Sequence, residues 1–159
     1  MLKMIRARLE DDRGFTLIEL MVVVLIIAIL LAIAIPTFLG LRRRAQDRAA
    51  QSDLRNGLTA AKAIYTDDES YDNVTEAEAE ATEPSIDFTG GFGGGGCAAA
   101  ENEVCVTNQS DQTIVLTTAS ESGTNFCLAD STVAVGAVPA GTRRGNVDAA
   151  TYQACTGGW

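Results

Sequence analysis

The sequence predicts an α+β fold in which one long N-terminal α-helix packs on a small antiparallel β-sheet head. Two observations carry this prediction. Residues 20–35 form a run of sixteen consecutive apolar residues, whereas residues 104–138 contain short β-rich stretches separated by Asn, Ser, Asp and Gly. A chain of 159 residues is long enough for one modest domain with an extension, but not for two full domains.

A short polar leader is predicted at residues 1–14. This stretch is rich in charged residues, and the apolar run begins directly after Arg13 and Gly14. A secretory signal peptide would place its apolar stretch before the cleavage site, so that cleavage would remove it. Here the apolar run continues without interruption into an amphipathic pattern, and we therefore expect it to stay in the mature chain.

A membrane-spanning helix is predicted at residues 15–41. Such a helix extends roughly 40 Å at about 1.5 Å per residue, which exceeds the bilayer core of about 30 Å. Pro36 and Gly40 lie near its outer end, and we expect a kink there because proline removes one backbone hydrogen bond. Helical periodicity resumes beyond Pro36, so an amphipathic continuation is predicted over residues 42–66. Its narrow apolar stripe comprises Ala45, Ala49, Leu54, Leu58, Ala61 and Tyr65.

Residues 67–103 are predicted to connect the helix to the sheet. Thr75 and Glu78 have the spacing of a capping box, which predicts a short helix that ends before Pro84. Residues 91–96 match the pattern G-x-G-x-x-G. A nucleotide site needs that pattern within a βαβ unit, whereas the residues that follow are mostly strand-like, so we interpret it as a flexible loop.

Residues 104–159 are predicted to form the antiparallel sheet and a C-terminal region closed by a disulfide. Strands this close in sequence favour an antiparallel meander. The predicted strands are 104–108, 113–119, 124–129 and 132–138. Beyond Pro139 the sequence has little periodicity, and we interpret it as a loop held by Cys155.

Charge is segregated along the chain. Beyond residue 62 there are fifteen acidic and two basic residues, a net charge of −13. This excess argues against nucleic-acid binding through a broad basic face of the head. Asp67, Asp68 and Asp72 lie close together, but an EF-hand count from Asp68 places Ala79 where the bidentate glutamate belongs. We therefore interpret these acids as solvated, and we predict no metal site and no cofactor.

The four cysteines, at positions 97, 105, 127 and 155, predict two disulfides. None has C-x-x-C spacing and the chain contains no histidine, so a zinc or redox site is not indicated. The sequence alone allows three pairings. We favour Cys97–Cys105, which flank a short step that can turn back on itself. The second pair is then Cys127–Cys155, which joins a strand-like run to the aperiodic tail.

Catalytic chemistry is not indicated by the sequence. No histidine is present, and no serine or cysteine has an identifiable base partner. We therefore predict that the protein is not an enzyme.

Glu19 places a carboxylate in the first turn of the predicted membrane helix. An ionised, unpaired carboxylate costs several kcal/mol there, so it should be protonated or matched to a cation. Cleavage after Gly14 would create a new amine at Phe15. That amine lies one turn away in the same chain, and a neighbouring copy of the chain can also supply it.

The run RGFTLIELMVVV, residues 13–24, closely resembles the processing and assembly motif of type IV prepilins and of the related type II secretion pseudopilins. The resemblance is specific over roughly residues 13–36 and beyond that rests on architecture. It implies cleavage between Gly14 and Phe15 by a dedicated membrane aspartyl peptidase. The same peptidase would methylate the new amine of Phe15.

The resemblance also implies roles in assembly. Glu19, together with Phe15, would guide subunit registration. Pro36 and Gly40 would mark a helix break near a segment that can melt on assembly. The implied architecture is pilin-like: a long helix, a connecting loop, an antiparallel sheet and a disulfide-closed C-terminal region.

The predicted function is a structural subunit of a type IV pilus-like surface filament that serves adhesion, motility or DNA uptake. The implied partners are other copies in a helical filament, the prepilin peptidase, membrane lipid before assembly and, indirectly, an assembly platform with its motor ATPase. The chain would be a single-pass membrane protein that becomes part of an extracellular prokaryotic filament. One alternative is a pseudopilin of a type II secretion system. Another is a bitopic membrane protein with a ligand-binding or enzymatic head.

Overall fold

The computed structural model describes residues 14–90, 100–101, 103–146 and 151–159. The leader up to residue 13, the glycine-rich loop from residue 91 and Cys97 lie outside this part of the chain. The chain divides into two compact units, Met1–Leu41 and Arg42–Trp159. The elements in chain order are α1 (Leu17–Asp68), α2 (Glu76–Thr82), β1 (Asp87–Gly90), β2 (Glu103–Ser110), β3 (Thr113–Ala119), β4 (Asn125–Ser131) and β5 (Gly141–Gly145).

The described part of the first unit is the N-terminal stretch of α1, and its apolar side chains are exposed throughout. Exposure among its large apolar side chains runs from 48% at Val22 to 89% at Phe15. Within the described residues, α1 is the one helix long and apolar enough to cross a membrane. A stretch of helix that is apolar on every side requires an apolar environment from lipid or from other protein surfaces.

Helix α1 continues through Pro36 and Gly40, as the resumed periodicity predicted. Proline has no amide hydrogen, so one backbone hydrogen bond of the helix is missing at this position. One residue later, the Thr37 hydroxyl donates a hydrogen bond to the carbonyl of Ile33 at 3.1 Å. A break of the helix at Pro36 and Gly40 stays a prediction about the assembled state.

The second unit contains a five-stranded sheet in the order β1-β2-β3-β4-β5. The pairs β2–β3, β3–β4 and β4–β5 are antiparallel, which confirms the predicted α+β fold with a meander. Strand β1 instead pairs with β2 in parallel. The sheet is therefore mostly, rather than wholly, antiparallel.

The main core lies between one face of the sheet and the C-terminal part of α1. Alternate residues of the strands face this core, because side chains on a strand alternate between the two faces. The buried helix residues are Ala50, Leu54, Gly57, Leu58, Ala60 and Ala61. The predicted stripe was wrong at Ala45 and Ala49, which are exposed; Ala50 is buried in their place.

A second, smaller core covers the other face of the sheet. It contains Val115, Cys127, Ala129, Tyr152 and Cys155. Because this core is supplied partly by the C-terminal segment, both faces of β3 and β4 are buried and their burial does not alternate.

The predicted strand at 132–138 is wrong. Gly136 has φ +63°, and the backbone of Val135 and Val138 forms two reciprocal hydrogen bonds of 2.9 and 3.1 Å around it. A left-handed glycine closes a tight turn that a strand cannot contain. The fourth meander strand is β5, inside the region predicted to be a loop.

The short helix α2 begins where the capping-box spacing predicted. Thr75 is its N-cap, and the Thr75 hydroxyl accepts a hydrogen bond from the Glu78 amide at 3.3 Å. The helix ends at Thr82, before Pro84, as expected.

Candidate assembly site

The N-terminal turn of α1 holds a reciprocal pair of hydrogen bonds between Thr16 and Glu19. The Thr16 amide donates to Glu19 Oε2 at 2.9 Å, and the Thr16 hydroxyl donates to the same oxygen at 2.7 Å. In return, the Glu19 amide donates to Thr16 Oγ1 at 3.3 Å. This geometry is a capping box, which satisfies amide groups that the first helical turn leaves without partners.

The capping box gives Glu19 a structural partner that the sequence interpretation missed. That interpretation assigned the carboxylate only to the amine that cleavage would create at Phe15. The spacing of Thr16 and Glu19 was visible in the sequence, since the same T-x-x-E spacing was recognised at Thr75. A negative charge in the first turn also interacts favourably with the positive end of the helix dipole.

Phe15 lies beside this turn and, at 89%, is the most exposed of the large apolar residues that the structure describes. Together with Ile18, Glu19, Val22 and Val23, Phe15 lines a shallow groove on the helix surface. The groove combines one carboxylate with an apolar surround. Such a surface can accept an apolar side chain and a cationic amine from another helix.

The pair Cys127–Cys155 is a disulfide with 5.8 Å between the two Cα atoms, in agreement with the favoured pairing. Both cysteines are fully buried in the second core. The bond links β4 to the C-terminal segment, which also includes Tyr152. The pair Cys97–Cys105 stays a prediction, because Cys97 lies outside the described residues.

No cluster of three or more potential metal-ligating side chains is found in the part of the chain that the structure describes. Asp67, Asp68 and Asp72 are exposed there.

Residues 11–35 match the family described as the prokaryotic N-terminal methylation motif. The type IV major pilin protein PilA of Myxococcus xanthus is 47% identical over 60 residues, which are 38% of this chain but only 27% of the relative's length. The type II secretion system core protein G of Klebsiella michiganensis is 36% identical over 81 residues, 50% of this chain and 56% of the relative. No solved structure matches significantly.

A fimbrial protein of Pseudomonas aeruginosa gives a longer match. It is 36% identical over 110 residues, which are 68% of this chain and 68% of the relative. The match therefore extends well beyond the N-terminal motif into the head. The chain belongs to the family of type IV pilins and their relatives, the type II secretion pseudopilins.

Proposed function

We propose that this chain is a structural subunit of a type IV pilus-like surface filament, stored in the membrane as a precursor and assembled after its leader is removed. The observation that carries this proposal is the exposed apolar surface of residues 15–41. That surface begins at a turn with one carboxylate, which is the arrangement an assembly helix needs. Similarity to proteins named as a major pilin and a fimbrial protein supports the same function.

In the membrane stage, lipid surrounds the apolar side chains of residues 15–41. A prepilin peptidase cleaves between Gly14 and Phe15 and methylates the amine of Phe15. Thr16 keeps the Glu19 carboxylate hydrogen-bonded in this stage, which lowers the cost of a polar group near hydrocarbon.

In the assembly stage, the helices move from lipid into a bundle of copies. Lipid tails are as apolar as leucine, so this transfer gains little hydrophobic free energy. Close packing and a few polar contacts between helices must therefore stabilise the bundle and fix its arrangement. Both hydrogen bonds from Thr16 go to Oε2 of Glu19. The second oxygen of the carboxylate accepts, in a bundle, a hydrogen bond from the Phe15 amine of a neighbouring subunit. This contact sets the register between the helices.

Pro36 and Gly40 mark where the helix can loosen during this transfer. The missing hydrogen bond at Pro36 lowers the cost of opening the adjacent turn, and glycine adds conformational freedom. Extraction from the membrane is driven by an assembly platform and its motor ATPase. The finished filament displays the heads outside and serves adhesion, motility or DNA uptake.

The second candidate is a pseudopilin of a type II secretion system. The match to core protein G over half of this chain favours it. The two candidates share the membrane helix and the assembly step. They differ in the machinery that assembles the chain and in whether a long filament leaves the cell surface.

Deletion of the gene that encodes this chain, followed by re-expression, distinguishes the pilus subunit from the pseudopilin. A pilus subunit predicts long surface filaments that disappear on deletion, return on re-expression and contain this chain after shearing. Loss of protein secretion without any change in surface filaments would identify the pseudopilin instead. A chain that stays in the membrane with its Gly14–Phe15 bond intact would contradict both and indicate a bitopic membrane protein.

A further inference from the structure

A groove in the head collects basic side chains. It has a volume of about 450 Å³, and its lining contains three cationic side chains and no acidic one. Helix α1 forms one wall, and β4, β5 and the C-terminal residue form the rest. The residues that define this cationic groove are Arg55, Lys62, Arg144 and Trp159.

Two guanidinium groups of the groove form no ion pair with any of the described residues. The Cζ atom of Arg55 lies 4.7 Å from the ring centroid of Trp159, and that of Arg144 lies 5.6 Å from it. Contacts with an aromatic ring position a guanidinium while its N–H donors stay available to an anion. Lys62, the third cation, is already paired with Asp130 at 2.9 Å.

An acidic segment of the same head has the opposite charge. Residues 67–87 contain nine acidic and no basic residues. Within the described part of the chain, none of the nine forms an ion pair. The ion pair found there, Lys62–Asp130, involves an acid outside this segment. The exposed acids are Asp67, Asp68, Glu69, Asp72, Glu76, Glu78 and Asp87.

We propose that the cationic groove of one subunit binds exposed carboxylates of the acidic segment, residues 67–87, of a neighbouring copy. This inference rests on the proposed function, because the filament is what brings the heads together. The guanidinium groups of Arg55 and Arg144 donate hydrogen bonds to the neighbour's carboxylates, and Trp159 holds both donors in place.

The net charge of the head favours a second copy as the occupant. Arg42–Trp159 has eight basic and seventeen acidic residues, a net charge of −9, so identical heads packed side by side repel one another. Contact between the acidic segment and the groove offsets that repulsion where the heads touch. A free polyanion such as DNA is repelled by the same net negative charge. Unlike a neighbouring head, it is not held near the groove by the filament.

The two surfaces also have the geometry of a propagating contact. The groove and the acidic segment are different parts of one chain, so their contact is heterologous and does not close on itself in a dimer. Heterologous contacts generate open helical assemblies when the rotation between subunits does not close a ring. The contact therefore adds a head-level link to the packing of the apolar helices.

Zero-length cross-linking of intact filaments tests the proposal. Filaments are prepared from chains that carry Arg55→Lys or Arg144→Lys, which keep the charge and introduce a reactive amine. A carbodiimide then joins amines to carboxylates in direct contact, and mass spectrometry maps the linked peptides in covalent dimers. We expect links from position 55 or 144 to acids within residues 67–87, with a yield that falls as ionic strength rises.

Two controls accompany this experiment. The link between Lys62 and Asp130 within one chain must form in every sample, since their atoms lie 2.9 Å apart, and it proves that the chemistry works. Arg143→Lys is the matched variant, because the Arg143 guanidinium lies against Tyr152 and the carbonyl of Cys155 instead of the groove. We expect no link from position 143 to residues 67–87.

The proposal is overturned if the control link forms but the amines at 55 and 144 give no dimer linked to residues 67–87. It is also overturned if filaments bind duplex DNA and Arg144→Glu abolishes that binding, because the groove would then be open to a different occupant. Both results still require filaments. The proposed function fails separately, if no filament contains this chain.

A charge-reversal pair provides a second test. Arg144→Glu should reduce filament yield by several-fold, and reversal of the cross-linked acid to lysine in the same chain should restore most of it. Formation of the Cys127–Cys155 disulfide, checked by non-reducing peptide mapping, shows that each variant head has folded. A folded double variant with a yield as low as that of Arg144→Glu alone would overturn the proposal.

Discussion

The Lys62 ammonium lies 2.9 Å from a carboxylate oxygen of Asp130, and this ion pair joins α1 to β4. The hydroxyl of Tyr71 donates to the same carboxylate at 2.8 Å, and that of Thr142 at 2.5 Å. Burial alone would raise the pKa of Asp130, but the hydrogen bonds from Thr142, Lys62 and Tyr71 and the charge of Lys62 outweigh it and lower that pKa. Burial, and then the hydrogen bond to Asp130, raise the pKa of Tyr71, so its hydroxyl stays a donor.

Replacing Asp130 with asparagine should lower the free energy of unfolding by about 1–3 kcal/mol at neutral pH. The value is below that of a fully buried pair because the Lys62 side chain is 45% exposed and can be solvated. Unfolding of the full-length chain in detergent, followed by Trp159 fluorescence, measures the loss. Glu101→Gln, at an exposed acid, is the control and should have almost no effect.

The difference in stability between the wild type and Asp130→Asn should depend on pH. Because the pKa of Asp130 is lowered in the folded state, its contribution is fully present above the pKa of an unfolded aspartate, about 3.9. The contribution is lost as the pH falls through the folded-state value. The difference in unfolding free energy between wild type and Asp130→Asn should therefore shrink in acid, and a difference that grows in acid would contradict this account.

Gly145→Ala should destabilise the docking of the C-terminal segment by about 2 kcal/mol or more. A Cβ at this position would lie 2.0 Å from the carbonyl oxygen of Thr156, which is backbone and cannot rotate away. Strand β5 contacts the C-terminal segment here through the bridge between Gly145 and Gly157. Faster proteolysis near residue 156 in the variant is the readout, and Asn146→Ala, at the exposed neighbouring position, should behave like wild type.

Cys127→Ser should lower the free energy of unfolding by about 3–4 kcal/mol in the chain-entropy account, because the disulfide closes a loop with a sequence separation of 28. The indole Nε1 of Trp159 donates to the Cys127 carbonyl at 3.3 Å, and the chain has one tryptophan, so its fluorescence reports the change directly. The double variant with Cys155→Ser should lose no more than the single variant. Additive losses would show that the two cysteines act independently.

Glu19→Ala should leave the chain in the membrane while the filament yield falls sharply. The apolar run gains hydrophobicity, but the charge that matches a neighbour's Phe15 amine is lost. Glu19→Gln keeps an oxygen that can accept the hydrogen bonds from Thr16 but removes the charge. We expect the same loss of filament yield, and this result would show that the charge acts in assembly and not only in helix capping. Thr16→Ser preserves the cap and should assemble normally. Normal filaments from a strain in which Glu19→Ala is the sole subunit would refute the assigned role.

Much of the fold was predictable because strong local patterns coincide with the elements. The apolar run predicted α1, and the β-rich stretches predicted β2, β3 and β4 to within two residues at each end. Strand β5 was missed because its sequence, GTRRG, has no apolar alternation. Among the strands that the structure describes, it pairs with β4 alone and lies at the sheet edge, where charged side chains are favoured.

The parallel pairing of β1 and the cationic groove could not be predicted for a different reason. Both depend on contacts between residues far apart in the chain. Arg55 and Trp159 show no relationship in the sequence, yet in the fold the Cζ atom of Arg55 lies 4.7 Å from the ring centroid of Trp159. Local spacing, in contrast, was sufficient for the Thr16–Glu19 capping box, which the interpretation overlooked in favour of the amine.

The intact mass and N-terminal sequence of the chain in sheared surface filaments test the central claim most directly. Assembly after leader removal predicts a mature chain that begins at Phe15, carries one methyl group on its amine and lacks residues 1–14. Filaments built from a chain that retains Met1 would contradict it.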